Sequence, residues 1–526
     1  MRYGTPTGRW VLLATVLASG MAFLDATVVN IALPAIGTEF DADLAGLQWT
    51  ANAYVLTLAS LILLGGSLGD RFGRRRVFLI GVVWFAIASL ACGVAPDVGT
   101  LVAARGLQGV GGALLTPGSL AILQAVFHPS QRARAIGAWS GLGGVAGAVG
   151  PFVGGWLVET AGWRWVFGLN VPLAVLVVVV TLRHVPETRD ELAPARVDVV
   201  GAVLGAAGLG GLTWGLIAWS EGGLDAPVVG ALAGGLLALA AFVVDQARSD
   251  HPMVPLTLFA DRRFSSINVA TLGLYGALGG IFFLLVLHLQ VVVGFGPVLA
   301  GTALLPTTLM MLLLSARAGA IAERVGARWP MTVGMGLCAV SAVWLSRIDA
   351  EAAYWVDVVP PTTLLGLGLA AAVAPLTATV LASAPDRYAG VASGVNNAVA
   401  RAGSLLAVAA LPLLVGLTGG YDDPVVLAPA FRSAMLVCAG LMLASAVLSA
   451  VAGGRSEPTS SSAVDDEPTA RADPRQCAVA GPPLCTDRPS MARGGTAVSA
   501  RPVPPPSGPP LSGPAPAAGP APPTTG

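Results

Sequence analysis

Apolar runs of 20 residues or more recur along the first 450 residues of the chain, broken only by short polar stretches. About 20 apolar residues is what an α-helix needs to cross a ~30 Å hydrocarbon core. A soluble fold has no interior large enough to hide so many such runs. Composition agrees: 55% of the 526 residues are hydrophobic and 11% are charged, whereas about 25% are charged in ordinary soluble domains. A soluble multidomain protein is excluded, and so is a wholly disordered chain.

The runs lie at about 10–34, 48–68, 77–95, 99–126, 135–158, 165–182, 198–219, 227–244, 267–292, 297–317, 330–346, 358–382, 390–415 and 429–451. They predict an all-α polytopic membrane protein with 14 transmembrane helices. The first run is too long for a signal-peptide core and reads as a retained span. Arginine placement sets orientation. One set of alternate loops carries Arg71, Arg74, Arg75, Arg76, Arg132, Arg134, Arg183, Arg189, Arg196, Arg248, Arg262, Arg263, Arg324, Arg328 and Arg387; the other carries Arg164, Arg347 and Arg432. The first set is expected inside, with cytoplasmic N- and C-termini and a multi-pass location in the inner (plasma) membrane.

Twenty-nine basic residues balance 29 acidic ones, so the basic footprint of a nucleic-acid binder is missing. Cys92, Cys338, Cys438, Cys477 and Cys485 have no spacing that suggests a disulfide framework or a metal site. Residues 453–526 hold 17 of the 39 prolines among Ala, Gly, Ser and Thr. This segment cannot bury a core and reads as a disordered cytoplasmic tail. Pro502–Pro506 could serve a binding role, but a solvated tail without a specific partner is favoured.

The chain also repeats itself. Gly66-Ser67-Leu68-Gly69-Asp70-Arg71-Phe72-Gly73-Arg74-Arg75 returns 253 residues later as Gly319-Ala320-Ile321-Ala322-Glu323-Arg324-Val325-Gly326-Ala327-Arg328. A weaker echo relates Pro129–Gly141 to Pro385–Gly394. The first six spans therefore match the last six, with two spans inserted between them. The expected organisation is a short cytoplasmic N-terminus (1–9), a six-helix bundle (10–182), a linker with two inserted helices (183–266), a second six-helix bundle (267–451) and the tail (452–526). Repeated six-helix halves are a transporter architecture, with substrate bound at their interface near mid-membrane.

The loop after the second span is framed by glycines and holds one acid among four arginines. Gly66, Asp70, Arg71, Gly73 and Arg74 read as a conformational latch, with Asp70 accepting charge-assisted bonds from Arg71 or Arg74. Arg75 and Arg76 read as topology charges only. Asp25 is the one acid well inside a first-half span. A carboxylate is costly in hydrocarbon, which marks this position for proton exchange. By helical rise Asp25 lies ~14 Å and Arg105 ~9 Å from the outer ends of their spans, so the two could pair. A static buried pair is the alternative.

These motifs resemble the major facilitator superfamily, and more narrowly its fourteen-span drug:proton antiporters. The loop just described is similar to the superfamily's loop 2–3 signature. Leu24-Asp25-Ala26-Thr27-Val28-Val29-Asn30-Ile31-Ala32-Leu33-Pro34, Arg105-Gly106-Leu107-Gln108-Gly109-Val110-Gly111 and Gly147-Ala148-Val149-Gly150-Pro151-Phe152-Val153-Gly154-Gly155 resemble the subfamily's motifs in spans 1, 4 and 5. Trp163–Pro172 and Pro255–Phe259 also fit, and the resemblance covers about residues 10–451.

The resemblance implies proton coupling or substrate binding at Asp25 and Arg105, and Asn30, Gln108 and Arg401 are further candidates for the same role. It also implies that Gly147, Gly150, Pro151, Gly154 and Gly155 help seal one end of the cavity; packing alone could equally require those small residues. Arg401 sits mid-span without an acid nearby in its helix, and either lines the cavity or is buried against carbonyls. His288 and the tryptophans Trp10, Trp49, Trp163, Trp165 and Trp329 read as interfacial residues, and Asp198 as an N-cap. No acid lies inside the last six spans, unlike family exporters of dications, which favours neutral, monocationic or amphipathic substrates.

The expected function is secondary active, proton-coupled efflux of hydrophobic drugs or other small amphipathic molecules by alternating access. No cofactor beyond the proton gradient is implied, no metal, and no partner but the substrate and the bilayer; a monomer is expected. Export of an endogenous metabolite, antibiotic or lipid, or proton-coupled uptake, is the alternative. A membrane enzyme would need a nucleophile–base pair or metal cluster in the spans, and none is legible. A chain without lysine carries no P-loop, so an ATPase would have to be a separate protein.

Overall fold

The computed structural model describes residues 5–189, 197–249, 252–384, 388–417 and 420–452. The Pro-rich tail from 453 onward, Arg196 and Arg387 lie outside the described residues, as do the surroundings of Arg134 and Gly147.

The described chain is helical. In order it forms α1 (Pro6–Phe40), α2 (Leu44–Phe72), α3 (Arg74–Gly93), α4 (Val98–Val126), α5 (Pro129–Thr160), α6 (Arg164–Gly168), α7 (Asn170–His184), α8 (Val199–Gly222) and α9 (Ala226–Arg248). It continues with α10 (Arg262–Val291), α11 (Pro297–Thr302), α12 (Leu305–Val325), α13 (Arg328–Leu345), α14 (Val359–Ala382), α15 (Ala389–Leu414) and α16 (Pro424–Ala452). Among the described residues, 12 helices are long and apolar enough to cross a membrane, three of them composite: α6 with α7, α11 with most of α12, and a π-helical turn (Tyr354–Val358) with α14. Helices α5 and α13 are 32 and 18 residues long and pack into the same bundle.

Acids in the short loops start many of these helices. Asp43 accepts from Gly46 N at 2.8 Å, Asp97 from Thr100 N at 2.8 Å, Asp198 from Gly201 N at 2.7 Å and Asp225 from Val228 N at 2.9 Å. Each side chain satisfies a helix donor that would otherwise be unpaired. The backbone N–H and hydroxyl of Thr100 hold the Asp97 carboxyl below the usual carboxylate range. Asp198 caps α8, as its position in the sequence predicts. It also accepts from Gln246 Nε2 at 2.6 Å, which ties the foot of α8 to α9.

Helices α1–α7 pack on one another, as do α10–α16, while α8 and α9 form a hairpin whose α8 face lies against α2 and α15. At the end of the bundle bearing the N-terminus, Trp10 stacks on His184. The connection from α2 to α3 docks here on the chain leaving α7: Arg74 N donates to Thr188 O at 2.8 Å. Gly73 turns that connection with φ +109°, and Gly326 makes the equivalent turn between α12 and α13 with φ +84°. The sequence repeat is thus also a repeat of backbone conformation, in a region glycine alone enters without strain.

At the opposite end the two helix groups are bridged directly. Gln290 Nε2 (α10) donates to Ile31 O (α1) at 3.1 Å, Gln48 Nε2 (α2) to Val408 O (α15) at 2.7 Å, and the Tyr421 hydroxyl to Ala42 O at 2.8 Å. Two expectations are corrected here. Trp163 is 3% exposed; its indole donates to Glu39 Oε2 at 2.6 Å and packs edge-on against Phe40 and Phe167. His288 is fully buried, stacked on Phe431 at 3.9 Å, with Nε2 3.1 Å from Ile348 O. Neither is an interfacial anchor, because the α1–α6 and α10–α16 contacts cover them. Trp165 and Trp329 are exposed, as interface residues would be.

Candidate functional site

Near the middle of the first helix group, α1, α2, α3, α4 and α7 direct polar side chains to one point. Asp25 and Arg105 are 2% and 1% exposed. Arg105 Nη1 donates to Asp25 Oδ2 at 2.5 Å and to Gln108 Oε1 at 2.6 Å, and its Nε donates to Thr50 O at 3.1 Å. Gln108 Nε2 donates to Asp25 Oδ1 at 2.7 Å and Asn170 Nδ2 donates to the same oxygen at 3.1 Å. Ser89 Oγ accepts from Asn170 at 2.9 Å and from Gln108 at 3.2 Å, and donates to Phe167 O at 2.9 Å. Asp25 therefore acts only as an acceptor, toward three donors, which is the arrangement of an anion.

The local sequence explains the convergence. Arg105 and Gln108 are three residues apart on α4 and so share a face. Asn170 opens α7 where α6 and α7 break, which brings its amide inward. The Tyr54 ring lies 4.6 Å from the Arg105 guanidinium carbon and the Phe167 ring 5.7 Å from it. These faces add cation–π attraction and exclude water. Close approach of α2 and α4 makes this possible: a Cβ on Gly109 would lie 2.4 Å from Tyr54 O, so only glycine fits. Ser89, Tyr54 and Thr50 did not stand out in the sequence, and Asn170 did only as part of the Trp163–Pro172 match. Their one signal is polarity within apolar spans, which many hydroxyl and amide side chains share.

A second feature lies between the two helix groups. A cavity of about 50 Å³ is lined by Thr27, Asn30, Pro151, Phe282, Leu304, Thr307 and Thr308, from α1, α5, α10 and α12. The structure thus places Asn30 on this cavity and away from the Asp25 cluster. Gly150 and Gly154 allow α5 to approach α1: added Cβ atoms would sit 2.5 Å from Thr27 Oγ1 and 2.5 Å from Val28 Cγ1. Gly155 faces the other group, where a Cβ would meet Pro297 O at 2.5 Å. Pro151 O in turn lies 2.3 Å from where Gly301 would carry one.

In the α2–α3 connection, Arg74 bonds Asp70 through Nε and Nη2, each at 2.8 Å. Arg71 instead lies over the Phe72 ring at 5.1 Å. Arg75 donates its backbone N–H to Glu187 Oε1 at 3.0 Å and its guanidinium to Val185 O at 3.2 Å. Arg75 and Glu187 thus join this connection to the α7 exit, a contact between distant residues that no local pattern announces. Gly66 has room beside Pro117. Arg401 lies mid-helix in α15, makes no hydrogen bond to the Asp25 cluster and is partly buried.

A bundle of apolar helices with a buried ion pair in one half, and a cavity on the seam between halves, is the form of a membrane transporter. Residues 15–408 match the family model described as Major Facilitator Superfamily, and the protein belongs to that superfamily. It is 39% identical over 417 residues to the tetracenomycin C resistance and export protein of Streptomyces glaucescens, covering 78% of this chain and 77% of that one. It is 36% identical over 402 residues to the multidrug resistance protein Stp of Mycobacterium tuberculosis (strain CDC 1551 / Oshkosh), covering 76% and 74%. Among solved structures it shares the fold of the POT family transporter PepTSo, with a TM-score of 0.63 at 16% identity, covering 84% of this chain and 97% of that one.

Proposed function

We propose that this protein is a proton-coupled exporter of hydrophobic or amphipathic small molecules in the plasma membrane, of the fourteen-span antiporter kind. Helices α5 and α13 complete the fourteen spans, both termini face the cytoplasm, and residues 10–182 and 267–451 form the two moving halves. The observation that carries the reading is the buried Asp25–Arg105–Gln108 cluster. A carboxylate in hydrocarbon is expensive unless paired, so the cluster is stable with Asp25 ionised and Arg105 bound. A proton arriving on Asp25 cancels the attraction and frees Arg105, which couples protonation to the packing of α1 on α4. The resistance and export proteins among its relatives support drugs and antibiotics as cargo.

The bridges at the Tyr421 end support reading this conformation as closed to the outside. Substrate then loads from the cytoplasm into the seam that Asn30 and Pro151 line. Rocking of the halves opens the outer side, where proton uptake at Asp25 accompanies release. The α2–α3 connection, with Asp70 and Arg74, latches one state.

The test is a dye and antibiotic efflux panel in a pump-deficient host, with and without an uncoupler. Wild-type efflux stops with the uncoupler; Asp25→Asn, scored per amount of protein in the membrane, gives no uncoupler-sensitive efflux. Full efflux by that variant overturns the coupling role, and wild-type efflux indifferent to the uncoupler overturns antiport.

A further inference from the structure

The charges at mid-membrane do not balance. Asp25 and Arg105 neutralise each other, which leaves Arg401 as an unmatched cation. Among the described residues Arg401 has no hydrogen bond and no ion pair, and its Nε is buried without a partner. An isolated guanidinium in a low-dielectric interior is costly unless a counter-charge or hydrogen-bond acceptors meet it. Burial against carbonyls, the alternative open at the level of sequence, is not what the structure contains.

The position of Arg401 shows which way it faces. It lies at mid-helix in α15 and is partly exposed. One heptad before it, a Cβ on Gly394 would meet Leu63 Cδ2 of α2 at 2.6 Å, and one heptad after it Val408 O accepts from Gln48 of α2 at 2.7 Å. Helix α2 belongs to the other half, so Arg401 lies on the face of α15 turned to the seam between halves. A guanidinium is a set of donors without an acceptor, which is the chemistry that binds an oxyanion. Just beyond Arg401, Gly403 and Ser404 pack on Gly276 and Gly279 of α10, where added Cβ atoms would lie 3.3 Å from Gly403 O and 2.8 Å from Ser404 Cα, and Phe282 follows about one turn later on that helix. Phe282 lines the cavity between the halves. The cation and the apolar cavity thus lie along the same seam, on the adjacent helices α15 and α10.

We propose that Arg401 is the recognition site for an acidic group on the substrate, a carboxylate or an acidic phenol, with the apolar body of the molecule lying toward Phe282 and Pro151. This rests on the exporter reading and narrows its cargo to amphipathic organic acids. The bound anion supplies the counter-charge that the protein lacks.

The experiment uses purified full-length protein in detergent at neutral pH and three fluorescent probes: pyrenebutyric acid, its methyl ester and pyrenebutylamine. Wild type should bind the acid roughly tenfold to a hundredfold more tightly than the ester, the range for a hydrogen-bonded charge pair, and the amine most weakly. Arg401→Gln should bind acid and ester alike, and Arg401→Lys should recover part of the preference. Equal binding of acid and ester by wild type overturns the proposal, and so does an acid preference that survives in Arg401→Gln. If Arg401→Gln binds neither probe, Arg401→Lys decides: a recovered acid preference supports the site and its absence overturns it. Uncoupler-sensitive efflux of the three probes from cells is scored separately. Its failure removes the exporter reading while leaving the binding result intact.

Discussion

At the scale of single residues, Asp25 and Arg105 stabilise the fold only as a pair. Removing one charge leaves the other buried and uncompensated, which costs roughly 3–5 kcal/mol, whereas removing both is far milder. Arg105→Gln should therefore lower the melting temperature of the purified protein clearly, and the double variant Asp25→Asn/Arg105→Gln should recover most of the loss while remaining unable to couple transport to protons. A double variant as unstable as the single one would show that Arg105 matters through its stacking on Tyr54 and not through charge. Asn170→Ala tests the support around the pair. It deletes one of three donors to Asp25, and so should shift the pH profile of efflux without abolishing it. Much of this cluster was legible in the sequence, because a lone acid, an arginine and a glutamine in apolar spans are conspicuous. Ser89 and Tyr54 were not, and Asn170 was marked by its motif but not as a partner of Asp25, because their value comes from helices that meet only in the folded bundle. Trp163 and His288 were misplaced for the same reason: hydropathy along the chain locates span ends but not whether a neighbour covers them.

At the scale of helices, α5 is glycine-rich for two different purposes. Gly150 and Gly154 lie against α1 within one half, whereas Gly155 lies against α11 of the other. A larger side chain at Gly154 should destabilise the half itself. At Gly155 it should hold the two halves apart at the Tyr421 end and leave each half intact. With native cysteines replaced, a cysteine at Thr308 should react with a membrane-impermeant maleimide from outside faster in Gly155→Leu than in an otherwise unchanged protein. Equal labelling, with normal folding, would mean that the α5–α11 contact does not control access. The sequence marks all these glycines alike, since a motif records that a small residue is needed but not which neighbour requires it. The inserted hairpin was legible only as two extra spans. Its α8 face crosses the α2–α15 seam, where Ile217 packs with Ala45 and Ala409, so any rocking of the halves must slide along it.

At the scale of the whole molecule, charge decides how far the machine can work. A potential of about 150 mV supplies roughly 3.5 kcal/mol per charge moved, or a few-hundredfold gradient at 1.36 kcal/mol per decade. Exchange of one proton for a neutral molecule moves one charge. Exchange of one proton for an organic anion moves two, because the outgoing negative charge adds to the incoming positive one. In proteoliposomes at equal pH on both sides, the logarithm of the steady-state gradient should rise by about one decade per 60 mV for pyrenebutyric acid methyl ester, and twice as steeply for pyrenebutyrate. Deleting residues 455–526 should not alter either slope. A flat dependence for both probes would contradict proton exchange altogether. Identical slopes for the two would mean that the acid crosses in its protonated form, with Arg401 not holding an anion during transport.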